Sequence, residues 1–445
     1  MNILFVHNNF PAQFRHIIQA LLREKAVALA AIGSSNARPV AGVRLLKYPS
    51  PQTAVVNAHP FARRFDQECR TAEEVLYNLT SLMASGFVPD VILAHPGWGE
   101  TLPLRTFFPA ARLILYCEYF YGSGGVQLGF DPEFPDDGLD GKVNLRVNNV
   151  TTLLALAECD RGVSPTRWQR STYPIPWQHK IDVIHEGVDI DLVKPNRRAV
   201  FTLPSGQSLT KKDEVITYSA RNLEPVRGYH MFMRALPQIM EKRPHAHALI
   251  IGGDGTSYGL RPPAGTTWKS IYLKEVAGRI DMNRVHFVGR LPYPQYLSAL
   301  QISSAHVYLT YPFVLSWSLL EAMGAGCAIV ASDTPPVREV IDGENGLLVP
   351  FFELQTIADQ LIELLANPRR FGAMRERARQ SVVEKYDAER ICVPQMMTLL
   401  RGGPPFVTGV GSAGAEAVAP GQADNNTASK AGKRIVRPRS RRIAI

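Results

Sequence analysis

The sequence predicts an α/β protein with parallel sheets in two domains, and three observations carry that prediction. Residues 2–7 (NILFVH) and 26–32 (AVALAAI) are apolar runs of strand length, and Phe14, Ile17, Ile18, Leu21 and Leu22 recur between them at helical spacing. Strand, helix and strand in such close succession form a βαβ unit, which demands a parallel sheet. Residues 308–332 (YLTYPFVLSWSLLEAMGAGCAIVAS) repeat that order around a loop. Finally, 445 residues with 45% hydrophobic and 20% charged content suffice for two full cores and a tail.

The second of these stretches organises the chain. Pro312 supplies no N–H and restrains Tyr311 to extended geometry, so the strand should stop there. Ser316 and Ser318 suit the cap of the next helix, whose free N–H groups, with Trp317 in the first turn, would then point into the loop. Gly324 and Gly326 give a compact exit into a strand from Cys327 to Ala331. A helix N-terminus at the carboxyl edge of a parallel sheet is where phosphorylated ligands bind. Glu321 stands inside the apolar run LLEAM, where a surface glutamate would have polar neighbours.

In chain order, the loop 8–13 (NNFPAQ) lacks the glycines of a dinucleotide fingerprint, so no nicotinamide site is expected there. Asn9 instead offers an amide and tolerates left-handed geometry. Residues 62–85 read as an amphipathic helix burying Phe65, Cys69, Val75, Leu76, Leu79 and Leu82. A strand at 91–94 leads to His95, which lies at the ligand edge either to face a substrate or to bond its own loop. A strand from Arg112 leads past Glu118 and Tyr119 into an aromatic loop. Ser164-Pro165 reads as a helix start. The domain boundary falls within 175–195, and 196–213 reads as a polar loop.

The second domain opens with a strand over 215–220 and a loop bearing Arg221 and Arg227 ahead of a helix over 229–240. Two forked cations on such a loop can converge on one diphosphate; a solvated charged loop is the plainer alternative. Residues 256–270 read as an inserted loop near the cleft, and Thr334 as the cap of a proline-led helix.

The motif LLEAMGAGCAIVAS, together with HPGWGE, YCEYFYG and Gly187-Val188-Asp189, resembles the retaining family 4 glycosyltransferases of GT-B architecture, in a bacterial subgroup. The likeness covers about residues 1–400. It implies two Rossmann-like domains facing across a cleft: an acceptor-side domain (1–180), a nucleotide-sugar domain (181–388) and a helix crossing back (389–401). A basic tail (402–445), rich in Gly, Ala, Ser and Pro, is expected to be disordered.

The resemblance assigns the donor diphosphate to Arg221 and Arg227, the donor sugar to His95, the ribose to Glu321 and the base to the backbone near Gly289, Arg290 and Leu291. Asn9, Glu118 and Tyr119 fall on the acceptor side. No metal or other cofactor is implied, beyond a nucleotide-diphosphate sugar as co-substrate. The family motif has two glutamates separated by seven residues, and Phe313 replaces the first. Phe313 accepts no hydrogen bond, so the expected transfer to a saccharide or lipid-linked acceptor in surface polysaccharide synthesis has two rivals. These are a non-catalytic nucleotide-sugar-binding scaffold and a nucleotide-sugar epimerase or hydrolase.

Composition bounds the partners. Five cysteines (Cys69, Cys117, Cys159, Cys327, Cys392) without a CxxC pair read as reduced core thiols of a cytoplasmic protein. The start reads as a strand instead of a signal peptide, and no stretch has the length of a membrane span. The net charge is +9. After Gly402 seven Lys/Arg face two acidic residues, placing +5 in the tail and +4 in the body. A basic body suits anionic nucleotide sugars or peripheral contact with an anionic membrane leaflet. No nucleic-acid motif accompanies the charge.

Overall fold

Strands buried on both faces read as continuous apolar runs, and here they assemble into two parallel sheets. The computed structural model describes residues 1–49, 58–122, 129–134 and 138–405. The basic tail lies outside the described residues from 406 on. In the first half, β1 (Asn2–Val6), β2 (Ala28–Ser34), β3 (Arg44–Tyr48), β4 (Val91–Ala94), β5 (Arg112–Tyr116), β6 (Arg161–Ser164) and β7 (Ile181–Val183) form one sheet. Its order is β3-β2-β1-β4-β5-β6-β7, parallel throughout. The side-chain period of two divides β1 between two cores: Ile3 and Phe5 pack on one face, Leu4 and Val6 on the other.

After a short antiparallel hairpin, β8 (Val200–Thr202) and β9 (Ser208–Thr210), the second sheet follows. It comprises β10 (Val215–Asn222), β11 (His247–Gly253), β12 (Val285–Gly289), β13 (Ala305–Tyr308), β14 (Ile329–Ser332) and β15 (Leu347–Val349), in the parallel order β12-β11-β10-β13-β14-β15. In each sheet the strand order reverses once, between β1 and β4 and between β10 and β13. A ligand crevice forms at such a switch point, beyond the carboxyl ends of the strands.

The halves interlock. Val393, Met396, Leu399 and Leu400 of the helix Val393–Leu400 pack into the first domain's core beside Ile3, Phe14 and Ile17. The Arg112 guanidinium donates to the carbonyls of Leu399 and Leu400 at 3.3 and 3.1 Å. From the second half, Glu339 accepts the backbone N–H groups of Arg167 and Trp168 at 2.7 and 2.8 Å, capping a helix of the first.

Several expectations need correction. β7 pairs with β6, so the first sheet runs past residue 180 to Val183. On the Arg63–Ala84 helix Val75, Leu79 and Leu82 are buried as expected, but Cys69 and Leu76 are exposed, while Glu68, Thr71 and Ala72 are buried. Burial of Glu68 is sustained by Arg64 at 2.8 Å and the Thr151 hydroxyl at 2.8 Å, the latter 83 residues away in the chain, which no local periodicity reveals. Thr166, not Ser164, caps the Arg167–Ser171 helix. The 196–213 loop contains the β8–β9 hairpin, which buries Phe201 and Leu209. Thr334 stands at a cap position, but its side chain accepts no helix N–H.

Gly228 joins β10's loop to the helix Tyr229–Lys242 at φ +67°, and a Cβ there would lie 2.2 Å from Leu309 Cβ. Both the left-handed backbone and the overlap exclude a side chain. Gly228→Ala is expected to lower unfolding free energy by roughly 2 kcal/mol or more, read by urea denaturation. An unchanged midpoint would contradict this account.

Candidate functional site

Both switch points open onto one cavity of about 840 Å³, walled by His7, Asn9, Trp98 and Glu118 from the first half and by Arg221, Arg227, Ser316 and Glu321 from the second. On the second wall the two arginines differ in kind. Arg227 ends a short turn (Pro225–Arg227) and is buried, and its Nη1 donates to Thr310 Oγ1 and to the Val314 carbonyl, both at 2.9 Å. The rings of Tyr258 and Phe313 flank its guanidinium at 5.2 and 5.5 Å. Arg221 is exposed, and among the described residues no carboxylate pairs with it. One cation is thus anchored and its neighbour is free to meet an anion.

Beside them, Ser316 caps the Trp317–Gly324 helix, its Oγ accepting the Ser318 N–H at 3.3 Å. The Tyr308 hydroxyl accepts the Ser316 N–H at 2.8 Å, fixing the loop before the cap. Glu321, one turn along, is buried and accepts from the Tyr293 hydroxyl at 2.8 Å. Burial pushes its carboxyl pKa up, with Tyr293 and Arg15 opposing. Arg15 comes from the other half: its guanidinium lies 4.0 Å from Glu321 and 4.8 Å above the Trp317 ring. Anion-binding groups therefore share one wall, and a carboxylate suited to hydroxyls sits beside them.

Comparison with known proteins agrees with this arrangement. Residues 25–193 match the model of the glycosyl transferase family 4 group, and residues 204–381 match that of glycosyl transferases group 1. The chain belongs to the family 4 glycosyltransferases. A phosphatidyl-myo-inositol mannosyltransferase of Mycobacterium tuberculosis is 30% identical over 216 residues, 46% of this chain and 50% of the relative. The chain spans about half the length of the curated relatives it matches. Among solved structures, the sucrose-phosphate synthase of Thermosynechococcus elongatus aligns with a TM-score of 0.67 at 17% identity, covering 90% of this chain and 98% of that one. Anabaena HepE, solved in complex with UDP and glucose, aligns at 0.62 and 18%, covering 90% and 99%. These two likenesses show the GT-B fold alone.

In this family 4 glycosyltransferase the cavity collects Arg221, Arg227, Arg290, Leu291, Ser316, Trp317, Ser318, Glu321, Asn9 and Glu118 of the residues singled out from sequence. Among the described residues that line it, His95, Tyr119 and Gly289 do not appear. His95 is buried behind Trp98, stacked at 4.5 Å; its Nδ1 accepts the Gly97 N–H at 3.0 Å and its Nε2 lies 3.3 Å from Glu118. It bonds its own loop, the plainer of the two roles expected for it. Tyr119 packs on Phe313 at 5.0 Å. Phe313 is itself buried beneath Tyr119 and Tyr258, serving as packing under the Arg227 loop. Gly289 is exposed at φ +65°, ending β12 ahead of Arg290, which donates to Asn222 Oδ1 at 2.8 Å.

Other groups carried no sequence signal. The buried Glu224 carboxylate accepts the N–H groups of Ser257, Tyr258 and Gly259 at 2.8, 3.1 and 3.0 Å, tying the inserted loop down so that Tyr258 covers Arg227. Glu186, in the segment linking the halves, lines the cavity with its Oε1 accepting from the Tyr116 hydroxyl. Burial pushes its pKa up to about 7, against opposing pulls from Trp317 and Arg15. Asp131, Glu133 and His230 bring ligand atoms within 4.8 Å of one another. Their bonding is already committed: Asp131 to His230 at 2.9 Å and Tyr311 at 2.6 Å, Glu133 to Arg234 at 2.7 Å. The cluster fastens the 129–134 segment to the second half.

Proposed function

We propose that the protein transfers a sugar from a nucleoside-diphosphate sugar to a saccharide or lipid-linked acceptor, with retained anomeric configuration, in surface or extracellular polysaccharide synthesis. The observation that carries this reading is the free Arg221 beside the anchored Arg227 and the capped helix N-terminus, all on one cavity wall. Cleavage of the sugar–phosphate bond builds negative charge on the departing diphosphate. Preorganised cations and N–H groups stabilise that charge without reorganising. Glu321 holds the ribose hydroxyls, and no metal takes part. No helix of the described residues is long and apolar enough to cross a membrane. The basic body supports work at the inner, anionic face of the cell membrane by peripheral contact.

A thermal-shift screen of UDP-, GDP-, ADP- and CMP-sugars against wild type and Glu321→Ala tests the reading. A ligand that binds only the folded state raises Tm with its affinity. One nucleotide class is expected to stabilise wild type by several degrees and the variant little. No shift with any of them at millimolar ligand would sink the transferase reading. Binding without transfer to any acceptor would leave a scaffold.

A further inference from the structure

Trp317 and Glu321 stand four residues apart on the Trp317–Gly324 helix, so their side chains share one helix face. A cation from the other half of the protein lies across both. Arg15 opens the first-domain helix Arg15–Leu21, directly after the loop that walls the cavity. Its guanidinium rests 4.8 Å over the Trp317 ring. Its Nη2 lies 4.0 Å from Glu321 Oε1, the oxygen that also accepts from the Tyr293 hydroxyl. The contact exists only where the two domains meet.

A carboxyl with an 8% exposed side chain favours its neutral form unless a positive charge stands close. Tyr293 and Tyr296 face Glu321 from the helix Tyr293–Ile302, and burial raises the pKa of both phenols, so neither carries charge. Around Arg15 stand His16, which accepts from its Nε at 3.2 Å, and His185 and Glu186 of the segment linking the halves. Asp189 and Glu389 lie beyond His16. Burial pushes His16 down to about 4 and His185 to about 3, so both rings are neutral. Arg15 thereby supplies the positive charge that opposes neutralisation of Glu321. An ionised carboxylate accepts from both hydroxyls of a vicinal diol, whereas a protonated one spends an oxygen as donor.

We propose that Arg15 is a positioning residue for nucleotide capture: seated on Trp317, it keeps the Glu321 carboxylate ionised for the ribose diol. This rests on the ribose role proposed for Glu321 and adds a condition to it: the second-domain carboxylate reads ribose only with the first domain docked against it. By reciprocity, a bound nucleoside diphosphate favours the docked arrangement.

Calorimetric titration of the full chain compares UDP with 2′,3′-dideoxy-UDP, and GDP with 2′,3′-dideoxy-GDP, at pH 6, 7 and 8. The ratio of the two dissociation constants reports the diol, because ionisation of the diphosphate is common to both ligands. The proteins are wild type, Arg15→Met, whose stem still covers Trp317, and Arg15→Lys. Glu186 titrates at about 7 beside the same guanidinium, so each protein is also measured with Glu186→Gln. Wild type is expected to prefer the ribose ligand about tenfold at every pH. Without the cation the Glu321 pKa rises. The preference of Arg15→Met is therefore expected to fall to about twofold at pH 6 and to return toward wild type at pH 8, while lysine keeps it throughout. A preference in Arg15→Met that equals wild type at every pH, or is lowered equally at every pH, overturns the positioning role and leaves the donor reading intact. Equal weakening of both ligands, or failure of lysine to keep the preference, does the same. A wild type indifferent to the diol overturns the ribose role of Glu321, and a wild type that binds no diphosphate overturns the donor reading itself.

Discussion

Arg221→Ala is expected to weaken nucleoside-diphosphate binding by roughly 10- to 100-fold while leaving the melting temperature within about 1 °C of wild type. The side chain is exposed and, among the described residues, supports no carboxylate, so its removal orphans nothing. Arg227→Ala is expected to cost as much affinity and, in addition, about 3 kcal/mol of stability. Its loss strands the Thr310 hydroxyl and the Val314 carbonyl and opens a void between Tyr258 and Phe313. Calorimetry paired with urea denaturation separates the two effects. If Arg221→Ala were the destabilising variant, or if Arg227→Ala kept full stability, the division into a free and an anchored cation would be wrong.

The second large effect concerns Glu186. Its folded pKa is raised to about 7 by burial, while the unfolded chain ionises it near 4.5. Below pH 4.5 the group is protonated in both states and has no effect. Between 4.5 and 7 the unfolded state releases the proton first, so wild-type stability falls as pH rises. Above 7 the loss levels off. The pKa difference corresponds to about 3 kcal/mol. Glu186→Gln, which keeps an acceptor for the Tyr116 hydroxyl, is expected to remove that fall. Urea midpoints at pH 4.5, 6 and 7.5 give the comparison. Parallel profiles for wild type and variant would show that the carboxyl is solvated in the folded protein.

The second-domain wall was largely legible before the structure. Ser316, Arg221 and Arg227 sit at or beside a strand end or helix start, Pro312 in the loop between, and Glu321 one turn into the helix, where local rules act. A cap must bond its own helix, and a cation on the loop after a parallel strand must stand at the carboxyl edge. The first-domain wall was far less legible. His95 and His7 both follow parallel strands, β4 and β1, and nothing local distinguishes them. Trp98 covers His95, and Glu118 ties it back, leaving His7 toward the cavity. Arg15 is an ordinary residue of a first-domain helix until the second half brings Glu321 and Trp317 to it.

The sequence by itself therefore determined the two parallel-sheet domains, the capped helix at Ser316, the buried carboxylate at Glu321 and the paired arginines. The sheets, the cap and the apolar setting of the carboxylate follow from periodicity and chemistry within a few residues. The role of the two arginines followed from the family resemblance, since their spacing alone equally allows a solvated charged loop. Only the tertiary structure decided which histidine faces the cavity, which arginine is free, and that Glu186, Gln13 and Trp98 belong to the site. Those choices depend on contacts between elements far apart in sequence, where packing and burial of whole side chains, not local propensity, set the orientation.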